Sequence, residues 1–82
     1  MKEFELYYNA KTKHDLKDPY PRFYYSMLDF ISSLPDQWFF KECYVVESDG
    51  SLFHLILHDG RNHILNVSAV RNGSSYDFNY KL

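Results

Sequence analysis

Apolar and polar residues alternate from the start of the chain. Over residues 3–8, Phe4, Leu6 and Tyr8 fall on one side and Glu3, Glu5 and Tyr7 on the other. A period of two predicts a strand with one buried face. Residues 9–18 are polar and carry Lys11, Lys13 and Lys17, which predicts a connecting loop. The period then changes. Phe23, Met27, Phe30, Ile31 and Leu34 follow the three-or-four spacing of a helix with one face on a core, and Tyr24 and Leu28 flank that stripe. Asp18 is placed to cap the first turn, Pro19 and Pro21 fall where a missing N–H costs nothing, and Pro35 stops the helix at or before Leu34.

After the helix the alternation returns in four runs, roughly 38–48, 51–58, 62–71 and 75–81. They are separated by Asp49-Gly50, Asp59-Gly60 and Asn72-Gly73. Such pairs between alternating runs signal hairpins, because these residues accept the positive φ of tight turns. A two-residue turn at Asn72-Gly73 sets Ala69 opposite Tyr76, Val67 opposite Phe78 and Leu65 opposite Tyr80. The polar row then runs Ser68–Asp77, Asn66–Asn79 and Ile64–Lys81. A two-residue turn at Asp49-Gly50 sets Val46 opposite Phe53 and Tyr44 opposite Leu55. At Asp59-Gly60 a two-residue turn would mix the faces. An odd loop, such as three residues with Gly60 left-handed beside a bulge, keeps Phe53, Leu55 and Leu57 on the face of Leu65 and Val67.

The predicted fold is therefore α+β, in the order β-α-β-β-β-β. It has a four-stranded antiparallel meander, an N-terminal edge strand and one helix packed on one face. The helix covers Phe40, Tyr44, Val46, Phe53, Leu55, Leu57, Leu65, Val67, Ala69, Tyr76, Phe78 and Tyr80. A right-handed strand–helix–strand connection makes strand one parallel to strand two and so antiparallel to the last strand, with which it can pair, although the sequence does not say which edge it joins. With 82 residues and no linker or repeat, residues 1–82 read as one domain.

Composition adds constraints. A chain this short hides only about 60–65% of its unfolded surface, so its core is thin. Cys43 is the single cysteine, which rules out an internal disulfide and points to a reducing cytoplasm. Aromatic residues, at 20% of the chain, take over the task of filling the core. The net charge of −2 lacks the basic excess of a general nucleic-acid binder. No apolar run is long enough to span a bilayer, and the acidic N-terminus does not read as an export signal.

The outer sheet face is the main place to look for function. It is predicted to carry Lys41, Cys43, Val45, His54, Ile56, His58, Ile64, Asn66, Ser68, Val70, Asp77, Asn79 and Lys81. Its centre, Cys43, Val45, Ile56, Ile64 and Val70, is more apolar than a solvated face needs, which suggests a partner surface. Tyr7, Tyr20, Arg22, Tyr24 and Tyr25 add the residue types that dominate protein-binding hot spots. His54 and His58, four apart on a strand, are separated by roughly 13 Å, too far to share one zinc. Cys43 with either histidine is the one nucleophile–base pair to consider, and a flat sheet face rarely supplies the oxyanion site such chemistry needs. Each glycine is spent on a turn, leaving none for a phosphate loop.

No metal or other cofactor is called for, and no catalytic residue is assigned. The leading expectation is a small non-enzymatic protein-binding domain, acting as an inhibitor or antagonist of a larger complex. It would be of the toxin-immunity or phage-encoded, anti-CRISPR-like kind, and monomeric or homodimeric. One alternative is an accessory protein touching nucleic acid through Lys11, Lys13, Lys17 and Arg22. Another is a small metal- or thiol-dependent enzyme built on Cys43, His54 and His58. The element order lacks the second helix of an RNA-recognition module, and no RNP-like motif is present.

Overall fold

The computed structural model describes residues 8–81. The predicted strand over residues 3–8 therefore lies, apart from Tyr8, outside the described residues, as does Tyr7. The order is β1 (Tyr8–Ala10), α1 (His14–Lys17), α2 (Pro21–Ser33), β2 (Phe39–Val45), β3 (Leu52–His58), β4 (Ile64–Asn72) and β5 (Ser75–Tyr80). The five strands form one antiparallel sheet in sequence order. The α+β class, the meander and the single main helix on one face are as the sequence predicts.

The position of the first strand is not. β1 pairs antiparallel with β2, through Tyr8–Val45, Asn9–Tyr44 and Ala10–Cys43, and not with β5. The right-handed crossover rule governs a strand–helix–strand unit. Here α1 lies between β1 and α2, so the direction of α2 is uncoupled from that of β1. The segment expected to be loop hides this helix because it has a single apolar anchor, Leu16, which is fully buried. Asp15 holds its entry by accepting a hydrogen bond from the Thr12 N–H at 3.2 Å. Asp18 consequently closes α1 and does not cap α2; Tyr20 precedes α2, with Pro21 in its first turn.

The helix stripe packs as its spacing implies. Phe23 stacks on Phe53 with ring centres 3.8 Å apart, and Phe30 on Phe78 at 4.4 Å. Phe23, Tyr24, Met27 and Leu34 are buried against Leu55, Leu57, Leu65, Val67 and Ala69.

Two hairpins differ from expectation in instructive ways. In β4–β5 the loop is Gly73-Ser74, with Asn72 opposite Ser75, so Ala69 meets Phe78 and Val67 meets Tyr80. A shift of two residues leaves every side chain on its predicted face. Gly73 has φ +68 at the first loop position, the requirement of a type II′ turn. In β2–β3, by contrast, the partners are Val45–Phe53 and Cys43–Leu55. At its tip the N–H groups of Val46 and Glu47 both reach the Leu52 carbonyl, at 3.0 and 3.3 Å, and Gly50 has φ +78. The left-handed glycine beside a bulge, expected for the middle turn, thus occurs here, whereas the middle turn keeps the left-handed Gly60 without a bulge in its pairing. This one-residue slip exchanges the faces: Cys43 and Val45 point into the core and Tyr44 points out. A second irregularity between Phe40 and Glu42 leaves Lys41 without a partner and returns Phe40 to the inner face opposite Leu57. The middle loop is odd, as predicted, but spans residues 59–63; Leu55–Val67 and Leu57–Leu65 keep the apolar rows together.

Candidate interaction surface

The helices cover one face of the sheet. Among the described residues, no element is layered on the other. Register places Tyr44, His54, Ser68 and Asn79 in one row across that open face, with Glu42, Ile56 and Asn66 in the next. Phe39, His58 and Ile64 form a third row at one end; Leu52, Val70 and Asp77 form a fourth at the other.

His54, Asn66, Tyr44 and Glu42 on this face have local partners. His54 Nε2 lies 3.2 Å from Asn66 Oδ1. Tyr44 Oη donates to Glu42 Oε2 at 3.1 Å, and Lys11 Nζ donates to Glu42 Oε1 at 3.4 Å. Desolvation tends to raise the Glu42 carboxyl, but the hydrogen bonds from Tyr44 and Lys11 and the charge of Lys11 outweigh it, and the net shift is downward. The Tyr44 hydroxyl is raised, chiefly by its bond to Glu42. Between these groups lie apolar surfaces: Ile56 is half-buried, while Phe39, Ile64 and Val70 are 42%, 51% and 43% exposed.

The remaining predicted residues are spread around this face. Lys41 is exposed at the β2 bulge. His58 accepts the Gly60 N–H at its Nδ1 at 3.1 Å, which fixes its ring at the hairpin end. Val45 is fully buried, so its predicted place on the outer face is incorrect. Tyr24 is also buried, against the helix side of the core. Tyr20 packs edge-on against Phe53 and donates to the Ser48 carbonyl at 3.1 Å, a bracing role at the first hairpin. Tyr25 and Arg22 are exposed on α2, away from the open face, beside a shallow hollow shared with Ser74. Of the basic segment, Lys11 is engaged by Glu42, while Lys13 precedes α1 and Lys17 ends it.

The thiol constellation is not assembled. Cys43 is fully buried on the inner face, whereas His54 and His58 lie on the outer one. Burial pushes the Cys43 thiol up to about 12, which disfavours the thiolate at neutral pH. Among the described residues no group of three His, Cys, Asp or Glu side chains is placed to hold a metal ion, and no helix is long and apolar enough to cross a membrane.

Sequence reasoning missed an open cleft of about 670 Å³ where Trp38 meets the middle loop. Arg61 and Lys81 line it together with Asp36 and Asp59, so its charges balance. Asp59 is tied to that loop: its Oδ1 accepts the Arg61 N–H at 2.8 Å and its Oδ2 lies 2.6 Å from His63 Nδ1. It also missed Tyr44, Glu42 and Phe39 on the open face. Their sign in the sequence was the odd spacing of Val45 and Phe53 about Gly50, which becomes legible only once the turn is known to carry an extra residue.

Comparison with protein-family models, with curated proteins and with solved structures gives no match.

Proposed function

We propose that this chain is a small protein-binding module that works through the open face of its sheet. The observation that supports this reading is the distribution of charge on that face. Its central strands, β3 and β4, present His54, Ile56, Asn66 and Ser68 with no carboxylate, lysine or arginine among them, while Glu42 on β2, paired with Lys11, and Asp77 on β5 stand to either side. Protein interfaces are built this way, with charge depleted at the core, aromatic residues enriched there and a polar rim. The residues are also held in place before any partner arrives, by the His54–Asn66 and Tyr44–Glu42 contacts, which lowers the entropy cost of binding.

A module of 82 residues carrying such a face suits an inhibitor or antagonist that occupies a surface of a larger protein complex, as immunity proteins and phage-encoded antagonists do. The cytoplasm is the setting that fits a chain whose one cysteine is a buried free thiol. The engagement of Lys11 by Glu42 weakens the nucleic-acid reading, since it draws one cation of the basic segment onto the sheet.

The test is a paired substitution on the open face. Ile56→Glu and Ile64→Glu each put a carboxylate at the centre or end of the apolar rows without touching the buried side. Binding to the partner is expected to fall at least tenfold in either variant, an effect of about 1.4 kcal/mol or more, with the far-ultraviolet spectrum unchanged. Unchanged affinity in both folded variants would move the binding site off this face.

A further inference from the structure

The two edges of the sheet are treated differently by the sequence. On one side, β1 covers only part of β2, and the uncovered stretch carries the bulge and Lys41. A bulge and a lysine are devices that discourage a further strand from pairing. The other edge is β5, six residues long, and it has no such protection. Its pairing with β4 runs without interruption from Asn72–Ser75 to Val67–Tyr80. Within β5 there is no proline, glycine or lysine, and three of its residues are aromatic.

Which backbone groups face outward follows from the turn. A two-residue loop makes Asn72–Ser75 a hydrogen-bonded pair, and such pairs alternate along the ladder. Ser75, Asp77 and Asn79 therefore spend their N–H and C=O groups on β4. Those of Tyr76, Phe78 and Tyr80 point away from the sheet, and among the described residues no backbone partner meets them.

We propose that β5 pairs with β5 of a second copy of this chain, antiparallel about a two-fold axis at Phe78, joining two sheets into one. The occupant is specified by self-complementarity. With Phe78 opposite its own counterpart, Tyr76 meets the second copy's Tyr80 at both ends, and all the outward-facing groups are used, giving about six backbone hydrogen bonds. In this register Asp77 faces Asn79 of the second copy at the positions where side chains approach most closely, so a carboxylate meets an amide donor twice. Shifting two residues towards the turn would set the two Asp77 carboxylates against each other, which is unfavourable. Shifting the other way sets Asn79 against Asn79 and leaves the outward groups of Tyr76 without a partner inside β5. Tyr80, 40% exposed although it lies on the helix side, gains a neighbour in the second copy's Tyr76. The arrangement is isologous, the commonest form of soluble assembly. It leaves the open sheet face free and doubles it.

The experiment measures molar mass by light scattering across micromolar to millimolar concentration, with amide hydrogen exchange read in parallel. The mass is expected to rise from monomer to dimer, and the amides of Tyr76, Phe78 and Tyr80 to become protected over the same range. Asn79→Asp sets two like-charged pairs across the axis and should weaken association about tenfold, while Asn79→Lys sets two opposite-charged pairs and should strengthen it. Asn79 is exposed, so both variants are expected to keep the monomer fold. A monomeric mass throughout, or a dimer indifferent to both Asn79 substitutions, would overturn the proposal. Ile56→Glu, on the open face, should leave the dimer intact, so loss of partner binding and loss of dimerisation are read separately.

Discussion

A single residue shows how much a one-position slip can change. Placed on the outer face, Cys43 would stand diagonal to two histidines; on the inner face it is a small apolar side chain opposite Leu55, with a histidine on neither side of it. The native chain should therefore resist thiol reagents under conditions that label the denatured chain at once. Stoichiometric labelling of the native protein, with no lag, would contradict the assignment. The raised thiol also gives a signed pH effect. Its contribution to stability is complete below the ordinary value of 9.0 and is lost as the pH climbs from there towards about 12, because the unfolded chain ionises first. Cys43→Ala should remove that part of the alkaline limb of a melting-temperature profile. The sequence alone could not place this residue: alternation tells which residues share a face within a strand, but joining two strands needs the turn, and a turn one residue longer reverses every side chain beyond it.

At the scale of elements, the turns carry the information. Gly50 and Gly73 both hold positive φ, yet their surroundings differ. A Cβ on Gly50 would meet the Tyr20 ring at 3.1 Å, whereas one on Gly73 meets nothing within 4 Å. Both alanine substitutions incur the backbone cost of a left-handed residue, about 1–2 kcal/mol. Gly50→Ala should cost clearly more than Gly73→Ala, since Tyr20 is packed on Phe53 and bonded to Ser48 and has little room to give. Denaturant titration of the two variants decides this; equal losses would mean that the Tyr20 contact is slack. Elements with strong periodicity, α2 and β3 to β5, were legible because many residues repeat one message. The helix α1 was not, because only Leu16 marks it among polar neighbours. The bulge at Lys41 was not legible either, because nothing in Phe40-Lys41-Glu42 differs locally from regular alternation.

For the molecule as a whole, the division into two faces is the result that bears on function. One face is filled by stacked aromatic rings, Phe23 on Phe53 and Phe30 on Phe78, which helps give a short chain with no internal disulfide its core. The other face is left open, with no carboxylate, lysine or arginine presented by its central strands and with charge to either side. The sequence placed His54, Ile56, His58, Ile64 and Asn66 on that face, and the register puts them there. It could not show that Tyr44 stands beside His54 or that Val45 lies beneath the sheet, because both facts depend on the first hairpin.

The claim that this face is the working surface is most directly tested by site-specific photo-crosslinking in the cells that express the chain. A photoreactive phenylalanine analogue would be placed at position 56 on the open face and, separately, at position 29 on the exposed side of α2. The account predicts a discrete adduct with one heterologous protein from position 56, abolished by Ile64→Glu, and none from position 29. An adduct from the helix position alone would contradict it.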